Sequence, residues 1–212
     1  MQRLRVEFSR GEEIKFLSHL DLMRLWERAF RRAGLSLVYS AGFSPHPRIS
    51  LASPLSVGVT SQAELMDVFL SDWISPYDFI DCLKSQLPRG LMLLDVWSVG
   101  LNEPSLQSKV SFAEYKVEMA AEIEAPILES KLKSFLSAEE IPWQHFRDTG
   151  VRNYDLRPLV DDLWLIEYYD SVFVLGMRLR CGNSGTGRPE QVVKALGLSQ
   201  PESIHRTKLI FS

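Results

Sequence analysis

The apolar residues of the first hundred positions change their period from two to three-or-four and back, twice. Arg3-Leu4-Arg5-Val6-Glu7-Phe8 alternates charged and apolar residues, the mark of a half-buried strand. From Leu22 the apolar positions shift to helical spacing: Leu22, Leu25, Trp26, Ala29, Phe30 and Ala33 share one face. Ser18 fits the N-cap, Asp21 sits three residues on, and Gly34 stops the helix. An extended stretch at 35–39, a loop at 40–48, and strands at 49–59 and 63–70 follow. Pro54 marks the first of these as an edge or bulged strand. Ser75-Pro76 opens a second helix at 76–87, and 91–99 is a last strand. Strand, helix, strand, strand, helix, strand is the βαββαβ, ferredoxin-like, order.

The second half repeats the rhythm. A strand at 112–121 precedes a helix at 125–137 and short extended pieces at 143–146 and 154–160. A hairpin joins 163–169 to 172–180 across Asp170-Ser171, then a helix at 189–196 and a strand at 204–211. The expected fold class is α+β: two tandem ferredoxin-like units, the second decorated. The domains expected are 1–100 and 112–212, with the polar, Pro104-containing segment 101–111 as linker.

Composition narrows the function. Of 212 residues 45% are hydrophobic, and no apolar run nears the ~20 residues of a membrane span. Charged residues at the N-terminus interrupt any signal-peptide core, so a soluble cytoplasmic protein is expected. Cys82 and Cys181 form no CxxC motif, which removes a zinc ribbon or an iron–sulfur cluster. The net charge of −3 conceals a basic first quarter: residues 1–50 hold nine Lys and Arg against five acids. A local basic face on an acidic chain suggests a localised anionic partner.

That face centres on residues 16–58. Arg24, Arg28, Arg31 and Arg32 lie opposite the apolar side of the first helix. They read either as a phosphate-tracking stripe or as a solvated face suited to the helix dipole. His19 and Asp21 occupy the first turn. His46 sits on a loop stiffened by Pro45 and Pro47 and is followed by Arg48. Two imidazoles and a carboxylate could hold a metal, work as an acid–base pair, or tie the loop to the helix. Phe43 on the same loop could stack on a base.

Two further stretches carry candidate chemistry. Residues 182–188 (GNSGTGR) read either as a glycine-rich turn that holds an anion at a helix start, with Arg188, and elsewhere Arg206, as candidate phosphate contacts, or as a flexible strand–helix connection. Asp155, beside Tyr154 and between Arg152 and Arg157, reads as a buried ion pair that fixes a strand crossing or as a carboxylate held ionised for catalysis. No Ser–His–Asp order, nucleophile elbow or zincin helix is present.

The runs FLSHLDLMRLWERAFRRAGL and YSAGFSPHPRISLASPLSVGV, with the later YDLRPLV, GRPEQVVKAL and HRTKLIF, resemble the bacterial radical SAM-linked protein family. The resemblance implies a small protein that accompanies a radical S-adenosylmethionine protein. It brings no established catalytic residues. Lacking cluster cysteines, this chain resembles the partner rather than the radical enzyme. Together these readings give an accessory RNA- or phosphate-binding module. Its expected ligand-binding residues are His19, Asp21, Arg24, Arg28, Arg31, Phe43, His46 and Arg48, with no cofactor and no metal. The alternatives are an RNA-modifying enzyme of pseudouridine-synthase-like architecture, with Asp155 as its catalytic group, and a protein-binding adaptor.

Overall fold

A computed structural model describes residues 1–147, 150–182 and 185–212, and the chain divides into two units, Met1–Val110 and Ser111–Ser212. The first runs β1 (Gln2–Arg10), α1 (His19–Arg32), β2 (Ile49–Leu51), β3 (Thr60–Leu70), α2 (Pro76–Lys84), β4 (Leu91–Val99) and α3 (Leu106–Lys109). Its strands lie in the order β4-β1-β3, with β2 against the last residues of β3 and every pairing antiparallel.

Period two in β1 sorts its residues between the two faces of the sheet. Leu4, Val6 and Phe8 are fully buried in one core with Leu22, Trp26, Ala29 and Phe30 of α1 and Phe79 and Leu83 of α2. An aromatic row links sheet to helices: Phe8–Trp26 at 5.0 Å, Trp26–Phe30 at 5.4 Å and Phe30–Phe79 at 5.9 Å between ring centroids. Removing a ring of this kind costs about 3–5 kcal/mol. Gly34, at φ +71°, supplies the left-handed residue after α1.

The alternate residues of β1 build something different. The register sets Arg5 opposite Asp67. Asp67 (1% exposed) accepts from Arg3 Nη2 at 2.5 Å and from Arg5 Nε at 2.9 Å. Arg3 also donates to the carbonyls of Glu103 and Pro104 at 2.5 and 3.0 Å. The segment 101–111 is therefore held to the first unit despite its linker-like composition. Leu106 is buried, and Gln107 exchanges hydrogen bonds with Ser50.

The second unit runs β5 (Val110–Ala120), α4 (Ala125–Ser137), β6 (Pro142–Arg147), β7 (Gly150–Asp155), β8 (Val160–Tyr169), β9 (Val172–Arg180), α5 (Pro189–Ala195) and β10 (Ser203–Phe211). The sheet order is β10-β5-β9-β8, and β6 and β7 form a hairpin of their own. Asp170 and Ser171, at φ 45° and 62°, make the tight turn between β8 and β9.

The α+β class holds, and several boundaries move. Residues 49–59 keep only three strand residues before the chain turns around Ser53-Pro54. Residues 154–160 split into the end of β7 and a 3-10 turn at Arg157–Leu159, where Pro158 withholds a ladder donor.

Candidate nucleic-acid interface

The arginines of α1 differ in what they touch. Ser18 caps the helix, accepting from Asp21 N at 3.2 Å and donating to Asp21 Oδ2 at 2.6 Å. Asp21 is thereby committed to the cap, and Arg24 reaches its other oxygen at 3.6 Å. Arg31 is paired with Glu27 at 3.0 Å, and Arg32 binds the side chain and carbonyl of Gln86. Arg28 is exposed, bonds only the carbonyl of Arg24, and has no carboxylate partner among the described residues.

The loop after α1 is braced at its base. Ser40 N donates to the His46 carbonyl at 2.8 Å, and His46 N donates to Ser40 Oγ at 3.0 Å. Tyr39 and Pro47 pair just below. Gly42, at φ +123°, turns the tip and leaves Phe43 fully exposed. Arg48 is gripped through its backbone: its N–H donates to Val38 O at 2.7 Å and its carbonyl accepts from Phe69 N at 3.1 Å. That grip lays the guanidinium over the Phe69 ring at 4.0 Å, a cation–π contact that leaves its donors available. Beside it a cleft of about 360 Å³ is lined by Arg3, Arg48, Ser50, Phe69 and Glu103.

His19 and His46 lie at opposite ends of this unit. The chain entering α1 is tied to the end of β1 by Arg10 Nη2 donating to Leu17 O at 2.5 Å. The loop stands where β1 begins: Arg48 lies against Met1, and Leu37 bridges Leu70, the register partner of Gln2. Nine residues of β1 at ~3.3 Å each separate the two ends by roughly 30 Å. The chain reversal between α1 and β2 explains this, since the loop leaves from the helix C-terminus. His19 is exposed, and among the described residues no three His, Cys, Asp or Glu side chains gather as a metal site.

In the second unit Asp155 has a structural job. Its Oδ1 accepts from Ile141 N at 2.8 Å and Arg157 N at 2.9 Å, joining both ends of the β6–β7 hairpin. Arg157 turns to the carbonyls of Leu136 and Val160 rather than to Asp155. Arg206 is wholly buried, which withdraws it from a phosphate in solution. Asn183 and Ser184 of the glycine-rich stretch lie outside the described residues; Gly182 and Arg188 line a cleft with Tyr154 and Asp155. Two lining residues carried no sequence signal of their own: His145, set by the alternation of β6, and Gln191, on the first turn of α5.

Burial pushes the Cys82 thiol up, away from thiolate. The Lys109 ammonium, by hydrogen bond and charge, holds the Glu103 carboxyl below its usual range.

Fold and surface thus define an α+β protein with an exposed aromatic loop and two arginines, Arg28 and Arg48, that have no carboxylate partner among the described residues. The chain belongs to the family described as uncharacterized protein conserved in bacteria (DUF2344), which matches residues 3–189. No curated protein matches it in sequence. Among solved structures it is similar to a chain of a Cbf5-Nop10-Gar1 complex, at 10% identity and a TM-score of 0.51 over 98% of this chain and 48% of that one. A chain of an H/ACA RNP bound to a substrate RNA containing 2′-deoxyuridine gives 11% identity and a TM-score of 0.46, over 100% and 46%. The chain spans about half the length of these relatives, and at such identity the first likeness is one of fold.

Proposed function

We propose that the protein is an RNA-binding module in which the loop 40–48 contacts an unpaired strand. Phe43 stacks on a base, and Arg48 and Arg28 contact phosphates. The observation that carries this reading is Phe43 itself: a phenyl ring held in water at the tip of a loop whose base is hydrogen-bonded shut. Exposed aromatic rings beside cations are how proteins hold single strands, because every base offers a π-face. His46 serves the loop's shape through its backbone. Arg24 and Arg31 join the same surface as weaker contacts, each sharing a carboxylate, while His19 and Asp21 mark the far end.

The sheet orders support a ferredoxin-like reading of both units, β4-β1-β3 with β2 outermost in the first and β10-β5-β9-β8 in the second. The likeness to a chain of the Cbf5-Nop10-Gar1 complex agrees with an RNA partner without carrying the argument. A radical S-adenosylmethionine protein as working partner in the cytoplasm rests on the sequence blocks quoted above alone.

Fluorescence anisotropy with a labelled single-stranded RNA tests the reading. Phe43→Ala is expected to weaken binding by about 1–3 kcal/mol, the worth of one stacked base, while leaving the salt dependence unchanged. Equal affinity of the variant and the parent protein would refute the stacking role. Absence of RNA binding by the parent protein would leave the loop as a protein-docking element and reject the proposal.

A further inference from the structure

The second unit contains a polar cleft of about 470 Å³ between the β6–β7 hairpin and the start of α5. That volume suits a ligand of mononucleotide size. Two parts of the chain that lie apart in sequence meet there: Arg152, Tyr154, Asp155 and Leu159 on one side, and Gly182, Gly185, Thr186 and Arg188 on the other. Gly187 makes the meeting possible: a Cβ on it would lie 2.7 Å from the Leu159 carbonyl oxygen.

The cleft is dominated by donors. Arg152 and Arg188 both line it, both are exposed, and neither has a carboxylate partner among the described residues. His145 lines the cleft as well. Gln191 is a built-in element: only 8% exposed, it accepts from the Tyr154 hydroxyl at 2.8 Å through Oε1. That bond fixes the amide, and its NH₂ group has no partner among the described residues. Asp155, the one acid among the described lining residues, already accepts two backbone N–H groups through one oxygen.

We propose that this cleft binds a phosphomonoester carried on a nucleoside-sized group. The two guanidinium groups take the phosphate, whose planar-fork recognition arginine provides. The Gln191 amide and Tyr154 form the floor against the remainder. The ligand comes either as a free mononucleotide or as the 5′-phosphate of an RNA strand. The inference does not rest on the loop of the first unit.

Isothermal titration of the whole protein with AMP, adenosine, and a short RNA with and without a 5′-phosphate tests it. Binding of AMP, or of the 5′-phosphorylated RNA above its 5′-hydroxyl counterpart, supports the proposal, and which of the two binds names the source. Adenosine is expected to bind about 10-fold or more weakly than AMP, as lost charge-assisted hydrogen bonds require. Arg152→Ala with Arg188→Ala is expected to remove the phosphate-dependent binding, while Lys133→Ala on exposed α4 surface leaves it intact. Melting curves show whether the double variant folds. If it does not, Arg188→Lys, which keeps the charge and loses the fork, is expected to weaken AMP about 10-fold. Equal binding of AMP and adenosine, or binding unaffected in a folded double variant or in Arg188→Lys, overturns the proposal. So does failure of AMP and of both RNAs to bind.

Discussion

Two groups of arginines in the first unit have opposite fates. Arg3 and Arg5 stand on a strand, and β-sheet register brings Asp67 directly across from Arg5. Their charge is met inside the protein by that carboxylate and, for Arg3, by backbone carbonyls. Arg28 and Arg48 stand on a helix face and after a loop, and neither has a carboxylate partner among the described residues. The same residue type thus serves structure in one place and is available to a ligand in the other. The partner decides, and exposure follows from the partner.

The contrast can be broken first at its buried side. Asp67→Ala strands two guanidinium groups, one of them 3% exposed, and is expected to cost about 3–5 kcal/mol in denaturant unfolding. Arg48→Ala should cost far less, within about 1 kcal/mol, because it removes a cation–π contact and a long contact to Met1 at the surface. Comparable losses from the two substitutions would show that Arg48 is a structural arginine like Arg3. A finer comparison lies within α1. Arg28→Ala should weaken RNA binding more than Arg31→Ala, whose guanidinium already shares Glu27, by about 1 kcal/mol at most. Equal effects would mean that the Glu27 pairing does not matter to a ligand.

The smallest effect concerns pH. Lys109 holds the Glu103 carboxyl below its unfolded value, so the pair's contribution is complete above the usual carboxylate range. It is lost as pH falls through the depressed folded value. The stability gap between the parent protein and Glu103→Gln should therefore close on acidification, read from denaturation midpoints across the acid range. A gap that widens instead would contradict the sign.

Much of the framework was legible in the chain. Ser18 and Ser75 mark both helix starts, and Asp170-Ser171 marks the hairpin turn, because caps and turns are local. The pairing of Arg31 with Glu27 also follows from their four-residue spacing. What sequence could not supply was register and direction. Nothing local says that Asp67 faces Arg5, so Arg3 and Arg5 read as ordinary alternation. Nothing local says that segment 101–111 provides carbonyls to a buried guanidinium. His19 and His46 look like neighbours in a short stretch, yet α1 carries the chain to the opposite end of the sheet between them. The cleft of the second unit was hidden for the same reason: its halves meet through the close approach of Gly187 to Leu159 and the Tyr154–Gln191 hydrogen bond, between residues far apart in sequence.

The proposal sets Arg28 and Arg48, without carboxylate partners among the described residues, beside Phe43 as phosphate contacts for an RNA strand. Its most direct test is the salt dependence of single-stranded RNA binding by the Arg28→Ala, Arg48→Ala double variant. Each phosphate contact on a single strand contributes ~0.7 to the slope of log affinity against log salt. The account predicts a slope shallower by about 1.4 in the folded double variant. A variant that keeps both the affinity and the slope of the parent protein would contradict it.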